Sequence, residues 1–333
     1  MIDTSWVRPP FAIVRVAHLE LVVRDLAAAR EFYVGLLGLP VTEETPDAIY
    51  LRGFEERVHH SLVLRRGPEP LLGHVAFRVW EEGDLDALAA HFEALGCTPA
   101  WVGPGQVELG QGRALRVQDP LGFPVEFFHE TSQAERLLQR FDLYRGAQIM
   151  RLEHVNLYVP DAAPAYEVYR ALGFRCSEYI AMDDGRLAAV WLYRKPTVHD
   201  VAFTTGAGPR LHHVAFAVSD PLAITRLCDI MAGARREGAI ERGPGRHGVS
   251  NAFFVYLRDP DGHRVELYVG DYSTGDPDFE PIGWSASDPR RRTFWGHAVP
   301  DCWYEEGTQV ADLAGGAVEL EPPVLDERVG AVH

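Results

Sequence analysis

Apolar and polar side chains alternate over residues 18–23, the pattern of a half-buried strand. Asp25 follows where an N-cap would start a helix running through Phe32, and Gly35 to Gly38 would stop it. From 84 to 95 the apolar residues Leu85, Leu88, Phe92 and Leu95 recur at helical spacing, with Gly96 as a left-handed stop. A strand over 74–79 precedes this second helix. Pro120-Leu121-Gly122 and Pro260-Asp261-Gly262 are turn sequences between apolar runs and predict hairpin joins. Each stretch therefore reads β-α-β-β-β. Residues 132–143 also carry helical spacing and predict a connecting helix. After Asp271 the pattern fades into a segment rich in Pro, Gly, Asp and Trp, which predicts an irregular tail wrapped on the surface.

The pattern occurs twice. Gly-His-Val-Ala-Phe at 73–77 returns as His-His-Val-Ala-Phe at 212–216, and Asp-Pro-Leu-Gly-Phe-Pro-Val-Glu at 119–126 returns as Asp-Pro-Asp-Gly-His-Arg-Val-Glu at 259–266. More loosely, His18, Tyr33 and Gly38 match His154, Tyr169 and Gly173. The expected fold is therefore α+β, with four β-α-β-β-β modules paired into two homologous domains. Its parts are an N-terminal domain over 1–131, a connecting helix over 132–149, a C-terminal domain over 150–270 and a tail over 271–333.

Composition narrows the partners. At 333 residues the chain exceeds the usual single core, which agrees with a duplication. A net charge of −16 repels nucleic acid and anionic membrane surfaces, so neither is an expected partner. With no targeting segment and no run long and apolar enough to span a bilayer, a cytoplasmic location is expected. Cys97, Cys176, Cys228 and Cys302 form no CxxC pair and read as reduced thiols.

The repeat also assembles chemistry. His154 and His213 each open a strand in corresponding modules of the second half, and Glu266 ends the last strand of the fourth module, so two neighbouring sheets could present all three inward. Two histidines and one carboxylate leave coordination positions open on a divalent metal, the arrangement of non-haem iron oxygenases. Singly, each residue is more simply a satisfied strand-end side chain; together they point to a metal.

Longer stretches carry a resemblance: Thr197-Val-His-Asp200, Pro209-Arg-Leu-His-His-Val-Ala-Phe216, residues 240–253, and residues 258–268, which end in Arg-Val-Glu-Leu-Tyr. Here, and over most of its length, the chain resembles the type I extradiol dioxygenases of the vicinal oxygen chelate superfamily. The resemblance implies that both atoms of O2 enter a catechol to give a 2-hydroxymuconic semialdehyde. It also implies Fe(II), with Mn(II) as the alternative, on His154, His213 and Glu266. His199 is then the acid-base catalyst, expected as an imidazole near its unperturbed pKa, and Tyr256 hydrogen-bonds the deprotonated catechol oxygen. Asn156 and Trp191 match pocket positions. Arg242, His247, Arg291 and Arg292 would receive a carboxylate arm, which implies 3,4-dihydroxyphenylacetate as the substrate and makes the tail a lid. A homotetramer fits the resemblance too.

Three other readings stand beside this one. Another catechol would keep the chemistry and change the pocket. A glyoxalase-like lyase or isomerase would need a carboxylate base and no oxygen, and a sequestering protein would need neither the triad nor the acid-base pair. His18, His74 and Glu126 repeat the metal positions in the first half, with His59 parallel to His199. Arg116 there stands for Tyr256 and Glu20 for Asn156, which disfavours catechol activation, and the resemblance implies that the N-terminal half is structural.

Overall fold

The computed structural model describes residues 2–325. All four expected modules form. The first has strands Ile13–Val23, Val41–Glu44, Ala48–Leu51 and Leu62–Arg66, with a helix after the first strand. The second runs from strand Leu71–Val79 through helix Gly83–Ala94 to strands Ala100–Val102, Ala114–Gln118 and Pro124–Phe128. The third comprises strand Ile149–Val159, helix Ala162–Ala171 and strands Arg175–Ala181, Leu187–Tyr193 and Val201–Thr205. The fourth comprises strand Arg210–Val218, helix Pro221–Gly233 and strands Ile240–Arg246, Phe253–Arg258 and Arg264–Val269.

Local chemistry sets the helix starts. The Asp25 carboxylate accepts from the amides of Ala27 and Ala28, and the α-helix Leu26–Arg30 passes directly into a π-helical turn, Glu31–Leu36. Asp161 and Asp220 cap their helices in the same way, satisfying amides that have no intrahelical partner. Gly96 takes φ +83, the left-handed stop expected of it.

Within each domain the two modules join through their first strands. Ile13–Val23 pairs antiparallel with Leu71–Val79, and Ile149–Val159 with Arg210–Val218. The last strand of each module lies parallel to its first, with Leu19 opposite Leu62 and Val155 opposite Val201. The duplication also builds the contact between domains. Tyr33 donates to Asp259 at 3.0 Å, and its repeat counterpart Tyr169 donates to Asp119 at 3.3 Å. The Val16 amide donates to Asp200 and the Leu152 amide to Glu56. Phe77 meets Phe174 edge-on at 5.6 Å across the same boundary, so one continuous apolar core spans both domains.

The connecting helix expected over 132–149 does not form. The only helical element of that segment is the 3-10 turn Phe141–Leu143. Its start is held extended, with Gln133 bridged to Val58 and the Ala134 amide bonded to the Arg57 carbonyl. Leu137 is buried while Phe141 stays 72% exposed, so the helical spacing has no apolar surface to cover and propensity alone cannot hold a short helix. The tail lies mostly on the C-terminal domain and also reaches the N-terminal one, where Val310 bridges to Leu72. Ile282–Ser285 adds a parallel strand beside Arg175–Ala181, and Thr308–Gln309 pairs with Arg210 and Leu211.

Candidate metal centre

Three neighbouring strands bring the donors together. Ala215 stands opposite His154 on one side and Glu266 on the other, and His213 lies two residues from Ala215 along the central strand. Side chains two apart share a face, and the methyl group of Ala215 leaves space between the three larger groups. Nε2 of His154 and of His213 are 3.3 Å apart, and Glu266 Oε2 lies 3.1 and 3.0 Å from them. A cation about 2.1 Å from each donor gives edges of roughly 3.0–3.4 Å, so this buried set fits one divalent ion with positions left open. Burial pushes the Glu266 carboxyl up, but the bonds and charge of the two histidines outweigh it and hold the group well below the usual carboxylate range.

A bulge between Leu211 and His213 interrupts the strand alternation, so His212 also turns inward. Its Nδ1 lies 2.5 Å from Nδ1 of His213. A histidine that ligates through Nε2 in its neutral form carries its proton on Nδ1, so His213 donates and His212 accepts. His212 is thereby fixed in one orientation behind the ligand.

All the sequence-predicted site residues line one cavity with the triad. His199 stacks on His154 with ring centroids 3.8 Å apart, and its ring nitrogens have no hydrogen-bond partner among the described residues. Burial, then His154 and Lys195, depress its pKa well below the usual value, which keeps the ring neutral. Its loop is rigidly held: Lys195 Nζ donates to the carbonyls of Glu153 and His199, and Asp200 accepts from the amides of Arg194 and Lys195. His247 Nδ1 donates to the Arg292 carbonyl, so its Nε2 accepts from the Tyr256 hydroxyl at 3.0 Å. Burial and the Glu266 carboxylate raise Tyr256 well above the usual phenol value, so it remains a donor.

Arg242 is 4% exposed and lies 4.7 Å from the Trp303 ring and 4.8 Å from Phe254. Its Nη2 donates to the Arg292 carbonyl and Thr293 Oγ1, while buried Nε has no partner. Arg292 donates to the Tyr304 hydroxyl. Arg291 faces the same cavity, but its Nε and Nη2 both hold the Ala286 carbonyl and brace the tail. Asn156 accepts from Thr204 at 3.2 Å, and Trp191 forms wall with Ile180 and Ala189.

The first half repeats the register, with Arg116 opposite Glu126 as Tyr256 is opposite Glu266, and Glu20 opposite His74 as Asn156 is opposite His213. One parallel needs correction. The strand register that aligns Leu62 with Val201 makes His60, not His59, the counterpart of His199. The His60 ring packs 4.6 Å from His18, whereas His59 turns to Glu43.

Comparison with known proteins agrees with this geometry. Residues 15–127 and 151–267 each match the profile of the Glyoxalase/Bleomycin resistance protein/Dioxygenase superfamily. The chain is 32% identical over 297 residues to a manganese-dependent 2,3-dihydroxybiphenyl 1,2-dioxygenase of Geobacillus genomosp. 3, covering 85% of this chain and 93% of the relative. The chain belongs to the extradiol dioxygenases of this superfamily. It is also 31% identical to a metapyrocatechase of Geobacillus stearothermophilus, covering 91% of this chain and 95% of that one. Among solved structures, homoprotocatechuate 2,3-dioxygenase from Brevibacterium fuscum, in complex with 3,4-dihydroxyphenylacetate, superposes with a TM-score of 0.92 at 48% identity. That match covers 96% of this chain and all of the other. As an extradiol dioxygenase the chain acts on a catechol and O2, and extradiol dioxygenases use Fe(II) or Mn(II). No helix among the described residues is long and apolar enough to cross a membrane.

Sequence reasoning missed Tyr158, His212, Trp303 and Tyr304, all of which line the cavity of this extradiol dioxygenase. Tyr158 was within reach, since it shares the period-two face of His154 and Asn156. His212 depends on a bulge, and Trp303 sits in the aperiodic tail, so neither had a local signal.

Proposed function

We propose that the chain cleaves 3,4-dihydroxyphenylacetate between carbons 2 and 3. The observation that carries this reading is the buried Arg242 guanidinium, with its free Nε, in the same cavity as the triad. A buried cation without a carboxylate bonded to it favours an anionic substituent on the substrate. Arg292 and His247 complete that end of the cavity, Arg291 braces it, and the tail acts as a lid.

Fe(II) or Mn(II) held by His154, His213 and Glu266 would supply a Lewis-acidic, redox-active centre where the diol and O2 bind side by side. Around it, His199 takes the second proton of the diol and later returns it, a role that a neutral, unpartnered imidazole suits. The Tyr256 O–H turns from His247 to the deprotonated catechol oxygen. Asn156 and Trp191 orient the ring. We further propose a cytoplasmic location, which the net charge of −16 supports, and a homotetramer.

The test is oxygen uptake and yellow semialdehyde formation by Fe(II)-loaded and Mn(II)-loaded protein given 3,4-dihydroxyphenylacetate. One-to-one coupling supports the proposal and ranks the metals. Uptake only with catechols lacking the carboxylate overturns the substrate assignment.

A further inference from the structure

The duplicated domain contains a second cluster of metal-ligand side chains. His18, His74 and Glu126 stand at the repeat positions of the triad, and Ala76 opposes both His18 and Glu126 as Ala215 opposes His154 and Glu266. A fourth donor joins them: Glu108 comes from the loop that corresponds to the one carrying His247. We propose that His18, His74, Glu108 and Glu126 form a closed, structural site for a divalent transition metal of the zinc class, separate from the catalytic centre.

The His18–His74 and histidine–Glu108 distances match those of the triad, and Glu126 stands somewhat farther off. Nε2 of His18 and of His74 are 3.0 Å apart. Glu108 Oε2 is 2.9 Å from His18 Nε2, and Glu108 Oε1 is 3.1 Å from His74 Nε2. Glu126 Oε1 lies 3.5 and 4.0 Å from the two rings. Four nitrogen and oxygen donors converging with these edges fit the tetrahedral coordination of a structural zinc site, for which bonds of about 2.1 Å give edges of roughly 3.4 Å. Two imidazole Nε2 atoms directed at each other and at one carboxylate are not all satisfied by protons: Glu108 Oε1, fully buried, accepts no hydrogen bond. Each of the four residues is 2% exposed or less.

The surrounding groups support the orientation. Arg116 binds Glu126 Oε2 at 2.5 Å and Gln111 donates to Oε1 at 2.6 Å, which fixes the carboxylate and leaves a lone pair on Oε1 toward the histidines. His60 reaches Glu108 Oε2 at 3.2 Å. Arg65 is taken by Glu20, so Glu108 and Glu126 face one arginine and retain a net negative charge for a cation. The same scaffold thus yields an open three-donor site in one half and a closed four-donor site in the other. With no vacant position and Arg116 where Tyr256 would be, the second ion is structural, joining the two modules of the N-terminal domain.

The test uses metal-stripped protein and Zn2+ alone, with bound metal counted by mass spectrometry after gel filtration against a competing chelator. The wild type is expected to hold two equivalents per chain and Glu266→Ala one. Glu266→Ala/His74→Ala is expected to hold none. Glu108→Gln keeps the shape of the side chain and removes its charge; on the Glu266→Ala background it is expected to weaken Zn2+ at least 100-fold, which covers the case where His74→Ala does not fold. His74→Ala loaded with Fe(II) should retain ring-cleaving activity. A single equivalent on the wild type, or an unchanged count or affinity in the His74 and Glu108 variants, overturns the proposal.

Discussion

Replacing Arg242 by methionine tests substrate recognition apart from the chemistry. The guanidinium does two jobs: Nη2 ties the cavity wall to Arg292 and Thr293, and Nε faces no protein acceptor. Methionine keeps the packing between Trp303 and Phe254 and loses both sets of bonds. Loss of the tether affects every catechol equally, whereas loss of a charge-assisted bond to a carboxylate affects only a substrate that carries one. Such a bond contributes about 2–3 kcal/mol, so the ratio of kcat/KM for 3,4-dihydroxyphenylacetate to that for 4-methylcatechol should fall roughly 30- to 150-fold. Steady-state oxygen uptake with both substrates measures the ratio directly. An unchanged ratio, with both substrates slowed together, would show that Arg242 is a structural brace and that the arm binds elsewhere.

The remaining predictions concern the other cavity residues and the pH response. His199→Asn should lower kcat on the order of 10²–10⁴-fold with KM within a few-fold; undiminished, fully coupled turnover would remove His199 from acid-base work. His212→Phe takes away the acceptor for His213 Nδ1–H and should weaken metal binding about 10- to 100-fold, read by chelator competition; unchanged affinity would refute the assigned tautomer. Burial holds His60 at about 4 and His247 at about 3, and depresses His199 and His212 well below the usual range. These histidines stay neutral in the folded chain while the unfolded chain protonates below about 6.5, so stability is full above that pH and falls as pH drops toward 4. At pH 5 His60 and His247 each remove roughly 2 kcal/mol. Asp119, pushed up to about 7 by burial, opposes this, as do Glu56, Glu178, Asp259 and Asp271, whose carboxyls burial also raises. Urea midpoints at pH 7, 6 and 5 should decline, and a flat series would contradict the buried neutral state.

The modules and the triad were readable because each rests on local periodicity plus repetition. Period-two strands, Asp caps and Gly stops are encoded within a few residues, and the repeat converts them into long-range register: once Ile149–Val159 lies beside Arg210–Val218, His154 and His213 must share a face. Residues 132–143 show the limit of such reasoning. Leu137, Leu138 and Phe141 are spaced as in a helix, yet the backbone pairs with Arg57 and Val58, and that tertiary contact outweighs the local pattern. The paired roles of His212 and His213 were equally hidden, because a bulge breaks the alternation on which face assignments depend. Glu108 was hidden for another reason. It sits in a loop without periodicity, and its repeat counterpart is not an acid.

That last difference explains how one duplicated scaffold can support two chemistries. In both halves two histidines and a glutamate arrive from equivalent strands, so the strands alone do not decide function. The loop before the penultimate strand decides it. In the second half that loop delivers His247, which bonds Tyr256 and the Arg292 carbonyl and leaves the third side of the triad facing the cavity. In the first half it delivers Glu108 onto His18 and His74 and closes that side. A metal with a vacant position can admit a diol and O2, and one saturated by four protein donors cannot. Exchanging Glu108 for a residue without a donor should therefore open the first site to water, but Arg116, bonded to Glu126, would still place a cation where catechol activation needs a phenol.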